Sequence, residues 1–170
     1  MNDERQRVAA LVEALGLKDV RRAGWEQVGI DGAESVAAHS WGVALLALTL
    51  CPPELDLACV LRLALVHDLP EVRVGDLTPR DQVAPAEKRR RETLAAEDLL
   101  GPWPDLLAAW REYDEGTSAA ARFVHQLDGL DLGLQAHRYR DRGADLSQFR
   151  DSALRRLSDP ALRRLLPAPD

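Results

Sequence analysis

The sequence predicts an all-α fold, a single-domain helical bundle, on three observations. Apolar residues recur at spacings of three and four rather than two. No Asn-Gly or Asp-Gly hairpin signal sits between alternating apolar runs. Helix breakers and caps (Gly16, Pro52 with Pro53, Pro70, Gly101 with Pro102, Asp159 with Pro160) divide the chain into helix-sized segments. At 170 residues one core suffices, since a chain of this size buries roughly two-thirds of its unfolded surface. No repeat, low-complexity tract or linker marks a second domain, so one domain is expected over residues 1–170.

The first helix is expected from Glu4 to Leu15, with Val8, Leu11, Val12 and Leu15 on one face and Gly16 as its stop. An arginine-bearing loop, KDVRRAGWEQVGIDGA, follows. The second helix starts near Glu34 and runs to Leu50. Its buried stripe, Val36, His39, Val43, Leu46 and Leu50, turns His39 inward. CPPEL breaks that helix, and Asp56 caps a third, LACVLRLALVHDL, apolar nearly all round as a central helix would be, with Pro70 closing it. After the link EVRVGDLTPRD comes a charged, peripheral helix from Pro85 to Leu100. A further helix around Trp103 to Tyr113 leads to a long one from Ser118 to Tyr139. The long helix presents Phe123, Leu127, Leu130 and Leu134 on its face, with Asp128 bordering it. The tail predicts one or two short helices, the last capped by Asp159 with Pro160 in first position.

The totals limit the function classes. The N-terminal residues carry charges of both signs and lack the layout of a secretion signal. The longest apolar run, Val43 to Pro53, falls short of the ~20 residues a membrane span needs, so a cytoplasmic protein with no membrane partner is expected. A net charge of −6 opposes general attraction to nucleic acid. The basic cluster Lys88 to Arg91 is flanked by Glu87 and Glu92 and reads as a solvated helix face. Cys51 and Cys59 lack a metal-type spacing and are expected as reduced thiols.

Four polar side chains lean inward: His39 on the second helix, adjacent His67 and Asp68 at the end of the third, and Asp128 on the long helix. An unpaired charge inside a protein costs several kcal/mol, and one divalent cation satisfies two imidazoles and two carboxylates together. The exposed carbonyls at the end of the third helix also favour a cation there.

Together these segments make the sequence recognisable. RRAGW, ESVAAHSW, LRLALVHDLPEVRVGDLTP, AEKRRRE and FVHQLDGLDLGLQA, in this order over roughly Arg21 to Tyr139, resemble the HD-domain metal-dependent phosphohydrolases, and within them the 5'-deoxynucleotidase group. The resemblance implies an HD-type helical bundle whose motif-bearing core spans 21–139, with residues 140–170 part of the same domain. It implies His39, His67, Asp68 and Asp128 as ligands of one divalent cation, Mn²⁺, Co²⁺, Fe²⁺ or Zn²⁺. It places Glu71 and Asp76 among the acidic groups of catalysis, with Asp76 also contacting substrate. If helical geometry persists past Pro70, Glu71 returns to the side of the His-Asp pair.

The resemblance puts Trp25 against the substrate's sugar, where a close fit would exclude a 2'-hydroxyl. Gly24 departs from relatives with an arginine directly before the tryptophan, so the phosphate contact is assigned to Arg22 of an Arg-x-Gly-Trp pattern. Glu112 resembles a further acidic position, but the spacing is shifted by one residue. His125 and His137 match no ligand position. The expected partner is a small-molecule nucleoside monophosphate, and family likeness alone suggests a homodimer. The alternatives are another HD-type phosphohydrolase or phosphodiesterase, an iron oxygenase on the same scaffold, or a non-catalytic metal- or nucleotide-binding helical module.

Overall fold

The structure, a computed structural model, describes residues 2–168. Met1, Pro169 and Asp170 of the expected domain lie outside the described residues. The chain runs through α1 (Asn2–Leu15), α2 (Ala23–Glu26), α3 (Val36–Leu50), α4 (Leu57–Val66) and α5 (Glu71–Val74). It continues through α6 (Pro85–Leu100), α7 (Pro104–Glu115), α8 (Ala119–Tyr139), α9 (Ser147–Arg156) and α10 (Pro160–Arg163). Among the described residues there is no strand, and the one isolated bridge joins Arg21 to Ser35. Among the described residues no helix is long and apolar enough to cross a membrane.

Local chemistry fixes the ends of the helices that matter. Ser35 starts α3 by accepting the Ala38 N–H, Asp56 starts α4 through Ala58, and Ser118 starts α8 through Ala121. Asp159 caps α10, with Pro160 in its first turn. The core forms where α3, α4, α7 and α8 meet, around Val43, Val60, Leu63, Trp110, Val124 and Leu127. A second cluster of Trp25, Ile30, Ala33, Leu132, Ala136 and Tyr139 fastens the arginine-bearing loop to the far half of α8. α9 lies closely along α8 because residue 129 is glycine: a Cβ there would stand 2.7 Å from the Arg156 Cβ.

Two expectations need correction. The apolar row Val8, Leu11, Val12 and Leu15 of α1 faces solvent, 53–66% exposed. The helix turns Ala10 inward instead, and Arg73 of α5 ties it down through Glu13. The third helix stops at Val66 rather than running to Pro70, and its surface is not apolar-buried all round, since Leu65 is half exposed. His67 is the C-cap, Asp68 lies in the turn beyond it, and Pro70 in helical conformation restarts the chain as α5.

Candidate metal centre and substrate cleft

The buried stripe of α3 carries His39 into the interior with no exposed surface. The turn after α4 brings His67, 4% exposed, and Asp68 toward it, and α8 supplies Asp128. The His39 and His67 Nε2 atoms are 3.4 Å apart. His39 Nε2 lies 3.3 Å from Asp128 Oδ1 and 3.7 Å from Asp68 Oδ2, and His67 Nε2 lies 3.1 Å from Asp68 Oδ2.

Hydrogen bonding fixes what the two rings offer. His67 Nδ1 is 2.8 Å from the Ala64 carbonyl, which can only accept, so Nδ1 donates. His39 Nδ1 is 2.7 Å from Asp131 Oδ2 and donates to that carboxylate. In the neutral rings both Nε2 atoms therefore carry bare lone pairs. Two imidazole nitrogens and two carboxylate oxygens converge with no donor among them. A tetrahedral cation with ~2.0–2.2 Å bonds sets its ligands about 3.3–3.6 Å apart; His39, His67 and Asp128 offer atoms all within 4.8 Å of one another, and Asp68 Oδ2 stands beside both rings but outside that set. The donor set fits a divalent cation, and the metal's identity is not encoded by two nitrogens and two oxygens.

The electrostatics tell the same story from the protonated side. Burial and the Arg22 charge push the His39 pKa down, but its bonds to Asp128 and Asp131 outweigh them and raise it to about 9. Burial works against the Asp68 and Asp128 carboxylates, yet His67, His39 and Arg22 hold Asp68 well below the usual range, and His39, Arg156 and His67 do so for Asp128. Without a cation, these carboxylates favour a proton on His39.

Beside it opens a cleft of about 470 Å³ lined by Arg22, Trp25, His67, Asp68, Glu71, Asp76 and Asp128. Arg22 Nη1 is 3.5 Å from Asp76 Oδ1, whereas Arg21 turns away to the Ala33 carbonyl at 2.9 Å. Burial opposes the Arg22 charge, but Asp76, Asp68, Asp128 and Glu71 together keep it protonated. Glu71 is 4% exposed, and burial, followed by the charges of Asp68 and Asp76, raises its pKa well above the ordinary value. Arg22 Nε and Glu71 Oε2 are buried polar atoms without a hydrogen-bond partner among the described residues. Such atoms are costly unless a ligand or water meets them.

Trp25, 1% exposed, forms part of the cleft wall and is also firmly anchored. Its indole N–H donates to Glu34 Oε1 at 3.1 Å. Phe149 of α9 packs on its ring at 4.1 Å and Tyr139 meets it edge-on at 5.3 Å. Phe149 also bears on Gly24: a Cβ there would stand 3.2 Å from the Phe149 ring, so any side chain before the tryptophan requires that ring to give by a few tenths of an ångström.

Sequence reasoning missed several residues. Asp131 stands one turn after Asp128, a spacing that could have marked it as a second inward carboxylate. Arg156, 2.6 Å from Asp128, and Phe149 come from α9, and no local signal points to them. Lys88 corrects the solvated-face reading. Arg90 and Arg91 do pair on the exposed face with Glu87, and Arg89 reaches Asp114, but Lys88 lines the cleft and donates to the Leu77 carbonyl at 3.2 Å. Asp114 lines the cleft as well, and Glu112 is not among its lining residues. His125 bonds the Tyr113 carbonyl and stacks on that ring, and His137 sits beside Arg140. Neither lines the cleft. Cys51 and Cys59 are free thiols.

Comparison with known proteins shows the family. The HD domain family profile matches residues 14–165. The chain is 38% identical over 158 residues to the 5'-deoxynucleotidase HDDC2 of Bos taurus, covering 88% of this chain and 77% of that one. It is 32% identical to the 5'-deoxynucleotidase YGK1 of Saccharomyces cerevisiae, covering 78% and 67%. Among solved structures, a conserved hypothetical protein from Pyrococcus furiosus superposes with a TM-score of 0.80 at 29% identity, covering 92% and 94%. A predicted metal-dependent phosphohydrolase from Magnetospirillum magnetotacticum superposes at 0.72 and 28%, covering 94% and 87%.

Proposed function

The chain belongs to the HD domain family, and from that premise we propose that it is a divalent-metal-dependent 5'-deoxynucleotidase, hydrolysing deoxyribonucleoside 5'-monophosphates to deoxynucleoside and phosphate. The observation that carries this reading is the convergence of two bare imidazole nitrogens and two carboxylates at one edge of a cleft that also contains a buried arginine and a buried glutamate. The relatives named 5'-deoxynucleotidase support the substrate class.

His39, His67, Asp68 and Asp128 would hold the cation. When bound, such a cation lowers the pKa of water toward neutrality and polarises a phosphoryl oxygen. Arg22 would neutralise the remaining phosphate charge, and its unpartnered Nε is the atom a phosphate oxygen would satisfy. Glu71, a stronger base than an ordinary carboxylate because of its burial, would orient the attacking water and take its proton. Asp76, held beside Arg22, would steer that arginine and shuttle a proton at the leaving 5'-oxygen. The phosphoester bond breaks as the water oxygen bonds to phosphorus. Trp25, locked by Glu34, Phe149 and Tyr139, would present a rigid wall to the sugar, and such a wall can refuse a 2'-hydroxyl.

The native cation in this reading is Mn²⁺, Co²⁺, Fe²⁺ or Zn²⁺. The enzyme works in the cytoplasm on a small-molecule substrate, and the exposed apolar row on α1 suits a homodimer. The test is phosphate release by purified protein with Mn²⁺ or Co²⁺ across deoxynucleoside and ribonucleoside monophosphates. Turnover confined to the deoxy series is expected. Absence of turnover on every deoxynucleotide by metal-loaded protein overturns the proposal, and two metals per chain would favour a two-metal phosphodiesterase instead.

A further inference from the structure

The four ligands leave one carboxylate of the cluster unused. Asp131 lies three residues after Asp128 on α8, one helical turn along the same side. Its Oδ2 accepts the His39 Nδ1 proton at 2.7 Å. α8 therefore delivers both a metal ligand and the group that orients a ligand from α3. Among the described residues no other hydrogen bond reaches Nδ1 of His39, whose ring is fully buried. Without an acceptor there, the proton could sit on either nitrogen, and the tautomer with Nε2–H has no lone pair facing His67, Asp68 and Asp128.

The opposite helix is shaped for this carboxylate. Residue 42, three after His39 on α3, is glycine, and a Cβ at that position would overlap Asp131 Oδ1. Helix interiors disfavour glycine relative to alanine, so the position carries a cost that the space for Asp131 explains. Glu34 joins the arrangement from the other side: Glu34, His39 and Asp131 each offer an atom within 4.8 Å of the others, and Glu34 holds the Trp25 indole.

We propose that Asp131 is the positioning residue of the metal centre, fixing His39 as the Nδ1–H tautomer so that Nε2 faces the cation, and that Gly42 is glycine to admit it. The inference rests on the metal-centre reading. It does not depend on which phosphoester is the substrate.

The test measures metal affinity directly, by titrating Co²⁺ or Mn²⁺ into metal-free protein, with the visible absorption of the Co²⁺ form as a report on ligand geometry. Asp131→Ala is expected to weaken binding by ~10–100-fold, the range that loss of an orienting carboxylate produces, and to change the Co²⁺ spectrum. Asp131→Asn keeps an acceptor oxygen of the same shape and is expected to recover part of the affinity. It also covers the case in which Asp131→Ala fails to fold. Gly42→Ala is expected to reproduce the Asp131→Ala loss in the wild-type background, and to add nothing in the Asp131→Ala background, where the atom it collides with is gone.

Wild-type affinity and an unchanged spectrum in both Asp131→Ala and Asp131→Asn would overturn the proposal, as would an equal Gly42→Ala penalty in the two backgrounds. If wild-type protein binds metal but hydrolyses no deoxynucleotide, the proposed activity falls while this inference stands. If the Asp131 variants bind metal normally, the inference falls and the activity is untouched.

Discussion

Arg156 Nη1, on α9, stands 2.6 Å from Asp128 Oδ2, on α8, while Asp128 Oδ1 faces His39. One carboxylate thus points one oxygen into the candidate metal centre and gives the other to the tail helix. The C-terminal segment is part of the centre's construction, which makes Arg156 a residue to test. Arg156→Met should cost ~10–100-fold in metal affinity or activity, the usual effect of losing a partner that orients a ligand. Arg156→Lys should restore a fraction, since an ammonium lacks the guanidinium's fixed fork. Unchanged affinity and rate in Arg156→Met would show the pair to be an incidental surface contact.

Metal binding and catalysis should separate within a few residues of sequence. His67→Ala and Asp68→Ala are expected to lose both cation and turnover, because each removes a donor from the cluster. Glu71→Ala should keep the cation and lose rate by ~10²–10⁴-fold, the range general base catalysis contributes. Metal analysis and phosphate release on the same preparations check this, and a fully active Glu71→Ala would remove Glu71 from the mechanism.

The metal-free protein should have a restricted pH range of stability. Although burial opposes it, the His39 pKa is raised from 6.5 to about 9 by Asp128 and Asp131, so the folded state favours the proton. That contribution is complete below about pH 6.5 and lost as pH rises through about 9. Asp68 and Asp128 act oppositely: their pKa values are depressed from 3.8, so their contribution is present above about pH 4 and lost on acidification. Urea midpoints in the presence of a chelator should therefore peak between about pH 4 and 6.5. Saturating metal should remove the alkaline decline, because the cation takes the proton's place. A midpoint that climbs from about pH 6 to 9 without metal would contradict the assignment.

Packing between Gly24 and Phe149 predicts a stability effect away from the metal. Gly24→Ala inserts a methyl group 3.2 Å from the ring, and overpacking of this kind costs ~1–3 kcal/mol. Phe149→Leu in the same chain should recover part of the loss. Thermal unfolding measures both, and an unchanged Tm in Gly24→Ala would mean that Phe149 swings aside freely.

Most helices were legible because periodicity and caps are local properties. Ser118, Asp56 and Asp159 announce their helices, and the α3 stripe places His39 correctly inside. The row on α1 shows where this reasoning stops. Val8, Leu11, Val12 and Leu15 have the pattern of a buried face, but periodicity does not say whether another element will cover it, and none among the described residues does. His39, His67, Asp68 and Asp128 could be read as inward polar groups because all four sit on or next to apolar helical runs. Arg156 and Phe149 were not, since their importance arises only when α9 folds back on α8. Lys88 was hidden inside a run of like charges whose other members face solvent.

The twenty-one residues of α8 form one uninterrupted helix, and that continuity makes angular phase the variable that matters for its chemistry. Adding or deleting one residue upstream of Asp128 within the helix would rotate everything after it by about 100° and displace it by ~1.5 Å. Asp128 and Asp131 would swing away from His39 together, and Leu127 and Leu130 would leave the core with them. A loop can absorb such a change locally, whereas this helix would transmit it along its remaining length. Substitutions in α8 should thus be graded by side chain, but indels should behave as all-or-none events for metal binding and folding alike.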